Sequence, residues 1–144
     1  MTDSPDLTAI DGFLTFEAVS LRYSDEDSMG HINNVAYAAY FEAGRMALFS
    51  ELLAGLGDQK FNFVLANVSI DYLREMRFPG QLKVGGRLLR VGTKSITTGY
   101  GAFLNGVCHA TATCVNVYFD PETRRSRPFP DKFRNGLLRH EPTP

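Results

Sequence analysis

The sequence has no excess of charge of either sign. Lys and Arg total 15, Asp and Glu total 16, and the net charge is −1 at pH 7. Without a basic excess the chain cannot neutralise a run of phosphates, which argues against nucleic acid as its main partner. It also lacks a long apolar run: none approaches the roughly 20 residues that a membrane helix needs. Residues 1–18 contain no basic stretch followed by an apolar one, so no secretory signal is read there and the cytoplasm is the expected compartment. Cysteine is scarce, with only Cys108 and Cys114. Both fall in one predicted strand. Six residues along a strand span roughly 20 Å, whereas a disulfide needs Cα atoms within about 7 Å. The two are therefore expected to be buried structural thiols, neither paired nor sharing a metal with His109. Internal repeats, linkers and low-complexity segments are missing as well.

The 144 residues are 44% hydrophobic and 22% charged. That is the balance of one globular domain with one core, read over residues 1–144. Residues 1–12 are polar and read as a loose lead-in. Residues 13–23 are aromatic and β-branched and predict a first strand. Residues 24–33 carry turn chemistry. A helix is predicted over residues 34–53, capped by Asn33 or Asn34 and ended by Gly55 and Gly57. It is apolar nearly all round, which predicts a buried helix. Ala36, Ala39, Ala43 and Ala47 form a small-residue stripe suited to a close approach to a sheet.

Four further strands are predicted. Residues 61–72 alternate, with Val64, Ala66, Val68, Ile70 and Tyr72 on a face expected to be buried. Phe78-Pro79-Gly80 makes a turn. Residues 82–91 follow, with a bulge or bend expected at Gly85-Gly86. Residues 96–104 and 107–119 are joined by Asn105-Gly106, the strongest two-residue hairpin signal in the chain. The small residues Cys108, Ala110, Ala112 and Cys114 share one face of the last strand, as suits a tightly packed helix. Residues 124–144 form a basic, proline-containing tail with a short helix expected over 131–138. The order predicts an α+β fold: about five antiparallel strands wrapped around one long central helix. The sheet's other face is expected to be solvated or covered by a partner.

The chemistry-bearing stretch is Arg22-Tyr23-Ser24-Asp25-Glu26-Asp27-Ser28-Met29-Gly30-His31-Ile32-Asn33-Asn34, which runs into Tyr37, Tyr40, Phe41, Glu42 and Arg45. Carboxylates lie just ahead of a helix start, whose free N–H groups and dipole favour a developing negative charge. Acyl transfer needs that anion-binding end and a carboxylate that attacks a carbonyl or activates water. The residues alone also allow a plainer role, because acids commonly sit before helices only to suit the helix end.

The same stretch resembles the signature of the 4-hydroxybenzoyl-CoA thioesterase-like hotdog family. Several spaced features match without a gap. The resemblance continues through Val68-Ser69-Ile70-Asp71-Tyr72-Leu73-Arg74. It extends to Gly92-Thr93-Lys94-Ser95, where Lys94 replaces the first serine of a Gly-x-Ser-Ser turn, and to Arg127-Pro128-Phe129-Pro130-Asp131. It implies a hotdog fold and thioester hydrolysis. Asp27 matches the catalytic carboxylate, acting as nucleophile or as general base toward water. Asn34 matches the helix-start position whose N–H polarises the thioester carbonyl. Some relatives have an assisting histidine there, and His31 is the candidate to replace it or to shape the loop.

Gly30, Asn33, Arg74, Lys94 and Ser95 are the implied substrate contacts, and Arg124, Arg125 and Arg127 are weaker ones. Glu42 and Arg45 are expected to pair on the helix. The implied substrate is an acyl-CoA, with coenzyme A part of that substrate and no metal or other cofactor. The implied assembly is a homodimer or homotetramer joined edge to edge. Two other readings stand beside hydrolysis: a non-catalytic acyl-CoA-binding module, and a hydratase or dehydratase acting on acyl thioesters.

Overall fold

The computed structural model describes residues 5–56 and 62–142. Gly57 and Phe61, read as helix end and strand start, lie outside the described residues. The elements in chain order are β1 (Thr15–Ser20), a 3₁₀ turn (Tyr23–Asp25), α1 (Asn34–Leu52), β2 (Phe63–Tyr72), β3 (Gln81–Val91), β4 (Ser95–Leu104), β5 (Val107–Asp120), β6 (Arg125–Ser126) and α2 (Asp131–Leu138). The strands form one antiparallel sheet in the order β1-β3-β4-β5-β2, with the short β6 added to one end of β5. No helix among the described residues is long and apolar enough to cross a membrane.

The hairpin signals set the register. Asn105 and Gly106 both take positive φ, at 52° and 78°, as a two-residue turn that matches strand twist requires. Leu104 then faces Val107 and the rest of β4 pairs along β5. At the other end of β4, the Gly92 N–H donates to the Ser95 carbonyl at 2.7 Å. The expected irregularity in β3 lies further on, between Leu88 and Arg90. Gly85 and Gly86 keep regular pairing and instead make room: a Cβ on Gly85 would fall 2.6 Å from the Phe13 ring.

The core lies between α1 and the sheet. Tyr37, Tyr40, Phe41, Leu48 and Leu52 of α1 pack over Val84, Leu88, Tyr100, Ala102, Ala110 and Ala112. The helix sits mainly over β1 and β3, less over β4. Its close approach is made by Gly44, where a Cβ would collide with Val84, and not by the alanine stripe: Ala39 is exposed. The outer side of α1 is bare, with Val35 81% and Met46 45% exposed, so the helix is buried on one side only.

The same placement leaves β2 uncovered. The alternation expected there does not hold along the whole strand: Val68, Ile70 and Tyr72 pair with Cys114, Ala112 and Ala110 on the buried side of β5, whereas Val64 pairs with Val117 and faces the other way. Val64, Val68 and Tyr72 are 42–48% exposed. A bulge between Leu65 and Asn67 makes the switch, so Leu65, opposite Asn116, shares the face of Val68 and is itself exposed. The sheet's far side is partly covered by the chain's own lead-in. Leu7 and Phe13 reach Gly99, Gly101 and Gly85, where any Cβ would crowd them. Cys108 and Cys114 both lie on β5 as free thiols.

Candidate active site

The loop between β1 and α1 separates its three acids by their surroundings. Asp25 is 4% exposed. Its carboxylate accepts hydrogen bonds from Arg22 Nη2 at 2.8 Å, Arg22 Nε at 3.1 Å and Tyr40 Oη at 2.6 Å. Burial alone would raise its pKa, but the bonds from Arg22 and Tyr40 outweigh that and hold the carboxyl below its ordinary value. Its backbone carbonyl takes both the N–H and the side-chain amide of Asn33, each at 2.9 Å. Asp25 is therefore the anchor that ties the loop to the helix start.

Glu26 accepts from the Phe78 N–H at 3.0 Å. Ile32, at the other side of the loop, donates its N–H to the Met76 carbonyl at 2.8 Å. These two bonds fasten the loop to residues 76–78. Between them the chain makes a tight turn from Asp27 to His31. The Asp27 N–H donates to the His31 carbonyl at 2.8 Å, and the Gly30 N–H donates to the Asp27 carbonyl at 3.0 Å. Gly30 has φ +78°, a conformation that glycine adopts without the Cβ penalty of other residues.

Asp27 is exposed at the tip. One carboxylate oxygen accepts from the Met29 N–H at 2.9 Å and, more weakly, from the His31 N–H at 3.4 Å. No ion pair among the described residues involves Asp27. Of the three acids, it alone has a solvent-facing carboxylate not bonded to a distant part of the chain.

The helix that follows is capped by Asn33, whose side-chain oxygen accepts from the Ala36 N–H at 2.9 Å. The Asn34 and Val35 N–H groups have no partner among the described residues. They form the positive end of a 19-residue helix. His31 lies between Arg77, at 2.9 Å from Nε2, and Glu75, an ion-pair partner of the same nitrogen. Glu42 and Arg45 pair at 3.6 Å, as their spacing predicts.

The sequence-predicted contacts divide into two groups. Gly30, His31, Asn33, Asn34 and Arg74 gather at one end. The Arg74 carbonyl accepts from Tyr37 Oη at 3.4 Å, and Tyr72 Oη donates to the Asn34 carbonyl at 3.3 Å, so the end of β2 flanks the helix start. Lys94 and Ser95 lie at the opposite end of the sheet. The Arg74 N–H bonds to His109 of β5, while Ser95 faces Val117 of the same strand. Eight residues of strand separate these points, roughly 26 Å.

The sequence reading passed over Glu75, Met76 and Arg77, whose charged-apolar-charged pattern between a strand and a Pro-Gly turn is the signal that marks them. It also gives Tyr40, part of the matched stretch, no role of its own, although its hydroxyl holds Asp25.

Comparison with known proteins bears on the family and the fold. The profile of the thioesterase-like superfamily matches residues 21–137. Uncharacterized protein YsmA of Bacillus subtilis (strain 168) is 32% identical over 127 residues, covering 88% of this chain and 86% of that protein. A predicted thioesterase from Bacillus stearothermophilus superposes with a TM-score of 0.78 at 31% identity, over 90% of this chain and 97% of that one. A thioesterase from Thermus thermophilus, solved with coenzyme A and Zn, gives 0.78 at 26% identity, over 94% and 99%. The fold, the loop ahead of the helix and these matches lead to one conclusion: the chain belongs to the thioesterase-like superfamily and is a thioester hydrolase of hotdog fold.

Proposed function

We propose that this protein hydrolyses an acyl-CoA thioester to the free acid and coenzyme A, with Asp27 as the catalytic carboxylate. The observation that carries the reading is the separation of the acids. Asp25 and Glu26 are bonded into the structure, and Asp27 is left facing solvent ahead of the free Asn34 and Val35 N–H groups. The thioester carbonyl would direct its oxygen at those N–H groups, which stabilise the tetrahedral oxyanion. Asp27 then either attacks the carbonyl carbon, giving a mixed anhydride that water opens, or removes a proton from an attacking water. In both routes the C–S bond breaks and the thiolate leaves as coenzyme A. This chemistry calls on no metal or redox cofactor.

The reading includes a second copy of the chain, as homodimer or homotetramer. β2 is an edge strand with bare backbone and apolar side chains, which is a template for pairing. Antiparallel pairing of two β2 strands reverses one sheet against the other. It would bring Lys94 and Ser95 of the partner subunit toward the end that carries Asp27, Gly30, Asn33 and Arg74. Arg74 and Lys94 would then meet the phosphates of coenzyme A. The compartment that goes with such a substrate and with free thiols is the cytoplasm.

The test is free-thiol release from a panel of acyl-CoAs by wild type and by Asp27→Ala. Wild type is expected to hydrolyse at least one, and the variant to lose about 10²–10⁴-fold in kcat. Undiminished hydrolysis by the variant would remove Asp27 from its role. Binding without hydrolysis by wild type would favour a binding module.

A further inference from the structure

The contacts of His31 contain a contradiction that has a chemical meaning. A single nitrogen, Nε2, lies within hydrogen-bond reach of Arg77 Nη2, a donor, and also of Glu75 Oε2, an acceptor. An imidazole nitrogen either carries a proton or offers a lone pair. Bound to Glu75, Nε2 must carry the proton. Bound to Arg77, it must be bare, with the proton on Nδ1. The two bonds exclude each other.

The ring is well placed for such an exchange to matter. His31 closes the turn that carries Asp27, through the Asp27 N–H to His31 carbonyl bond. The turn is fixed at its two sides by Glu26 to Phe78 and by Ile32 to Met76. The His31 ring touches the alternate residues 75 and 77 of the same segment. The charged groups facing it are Glu75 and Arg77, with Asp27 on its own loop. Arg77 also lies over the turn, its Nη1 3.9 Å from where a Gly30 Cβ would be.

We propose that Glu75 and Arg77 are positioning residues for Asp27, acting through His31, whose Nε2 takes one of them at a time. The inference rests on the hydrolase reading for its kinetic consequence, and on contact geometry alone for the exchange. With Glu75 bound, the ring is drawn toward one side of the segment; with Arg77 bound, toward the other. The backbone of His31 moves with it, and so does the carboxylate it helps to orient.

The experiment reads the His31 ring nitrogens by NMR, assigned by the signal lost in His31→Gln, in wild type, Glu75→Ala and Arg77→Ala. Glu75→Ala is expected to leave Nε2 bare and the proton on Nδ1. Arg77→Ala is expected to leave the proton on Nε2. Wild type should lie between the two. Both variants should lose about tenfold in kcat with KM unchanged, as a displaced catalytic group does, and Glu75→Gln should recover most of the loss. An identical ring state in all three proteins would overturn the exchange. A changed ring state with unchanged kcat would overturn the positioning role. A wild type inactive on every acyl-CoA would count against the hydrolase reading, while the ring signals, read without substrate, would still decide the exchange.

Discussion

At the scale of single residues, the loop gives three adjacent carboxylates three different surroundings. Asp25 is the structural one, and its bonds predict how stability depends on pH. Its folded-state carboxyl lies below its ordinary value, so its contribution is present above the unfolded pKa of about 4. That contribution is lost as pH falls through the lowered folded-state pKa. Asp25→Asn is expected to cost about 2 kcal/mol near pH 7 and to flatten the acid limb of a plot of urea midpoint against pH. An unaltered acid limb would show that Asp25 is not the group responsible. The residues alone do not separate Asp25 and Glu26 from Asp27, because the separation comes from Tyr40, bonded to Asp25, and Phe78, bonded to Glu26, both distant in sequence and close in space. The family spacing pointed to Asp27. The contacts supply a physical reason for that choice, one that spacing alone lacks.

At the scale of elements, the helix and the hairpins were legible and their neighbours were not. The cap at Asn33, the span of α1, the turn at Asn105-Gly106 and the short α2 all follow from local chemistry. Local chemistry does not say which strand lies under which side of a helix. The alternation in β2 suggests one buried face, yet the bulge after Leu65 turns Val64 to the other side, and α1, seated over β1 and β3, leaves Val68 and Tyr72 half exposed. The alanines suggested the point of close contact, while the contact is made by Gly44 over Val84. This gives a second prediction. Gly44→Ala adds helix propensity worth about 1 kcal/mol, yet its Cβ has no room. The net effect is expected to be destabilising by about 1–3 kcal/mol. Val84→Ala in the same background should recover part of it. A stabilised Gly44→Ala, judged by urea unfolding, would mean that the helix shifts freely over the sheet.

At the scale of the whole molecule, one chain holds the carboxylate at one end of the sheet and Lys94 and Ser95 at the other. A site that uses both must be completed by a second copy. Val68→Lys, which places a charge in the middle of the bare β2, is expected to shift sedimentation from dimer or tetramer to monomer and to lower kcat/KM. Asp27 and its turn would remain folded, since neither contacts Val68. A monomeric variant with full activity would show that each chain works alone.

The uncovered β2 carries one more consequence. The side chains of Val64, Leu65, Val68 and Tyr72, all partly open to water, gain little from burial within their own chain. Were two copies to bury them together, the folded state would become a function of protein concentration. Dilution would then do what heat or denaturant does, and a newly made chain would stay vulnerable to wrong pairing until it met its match.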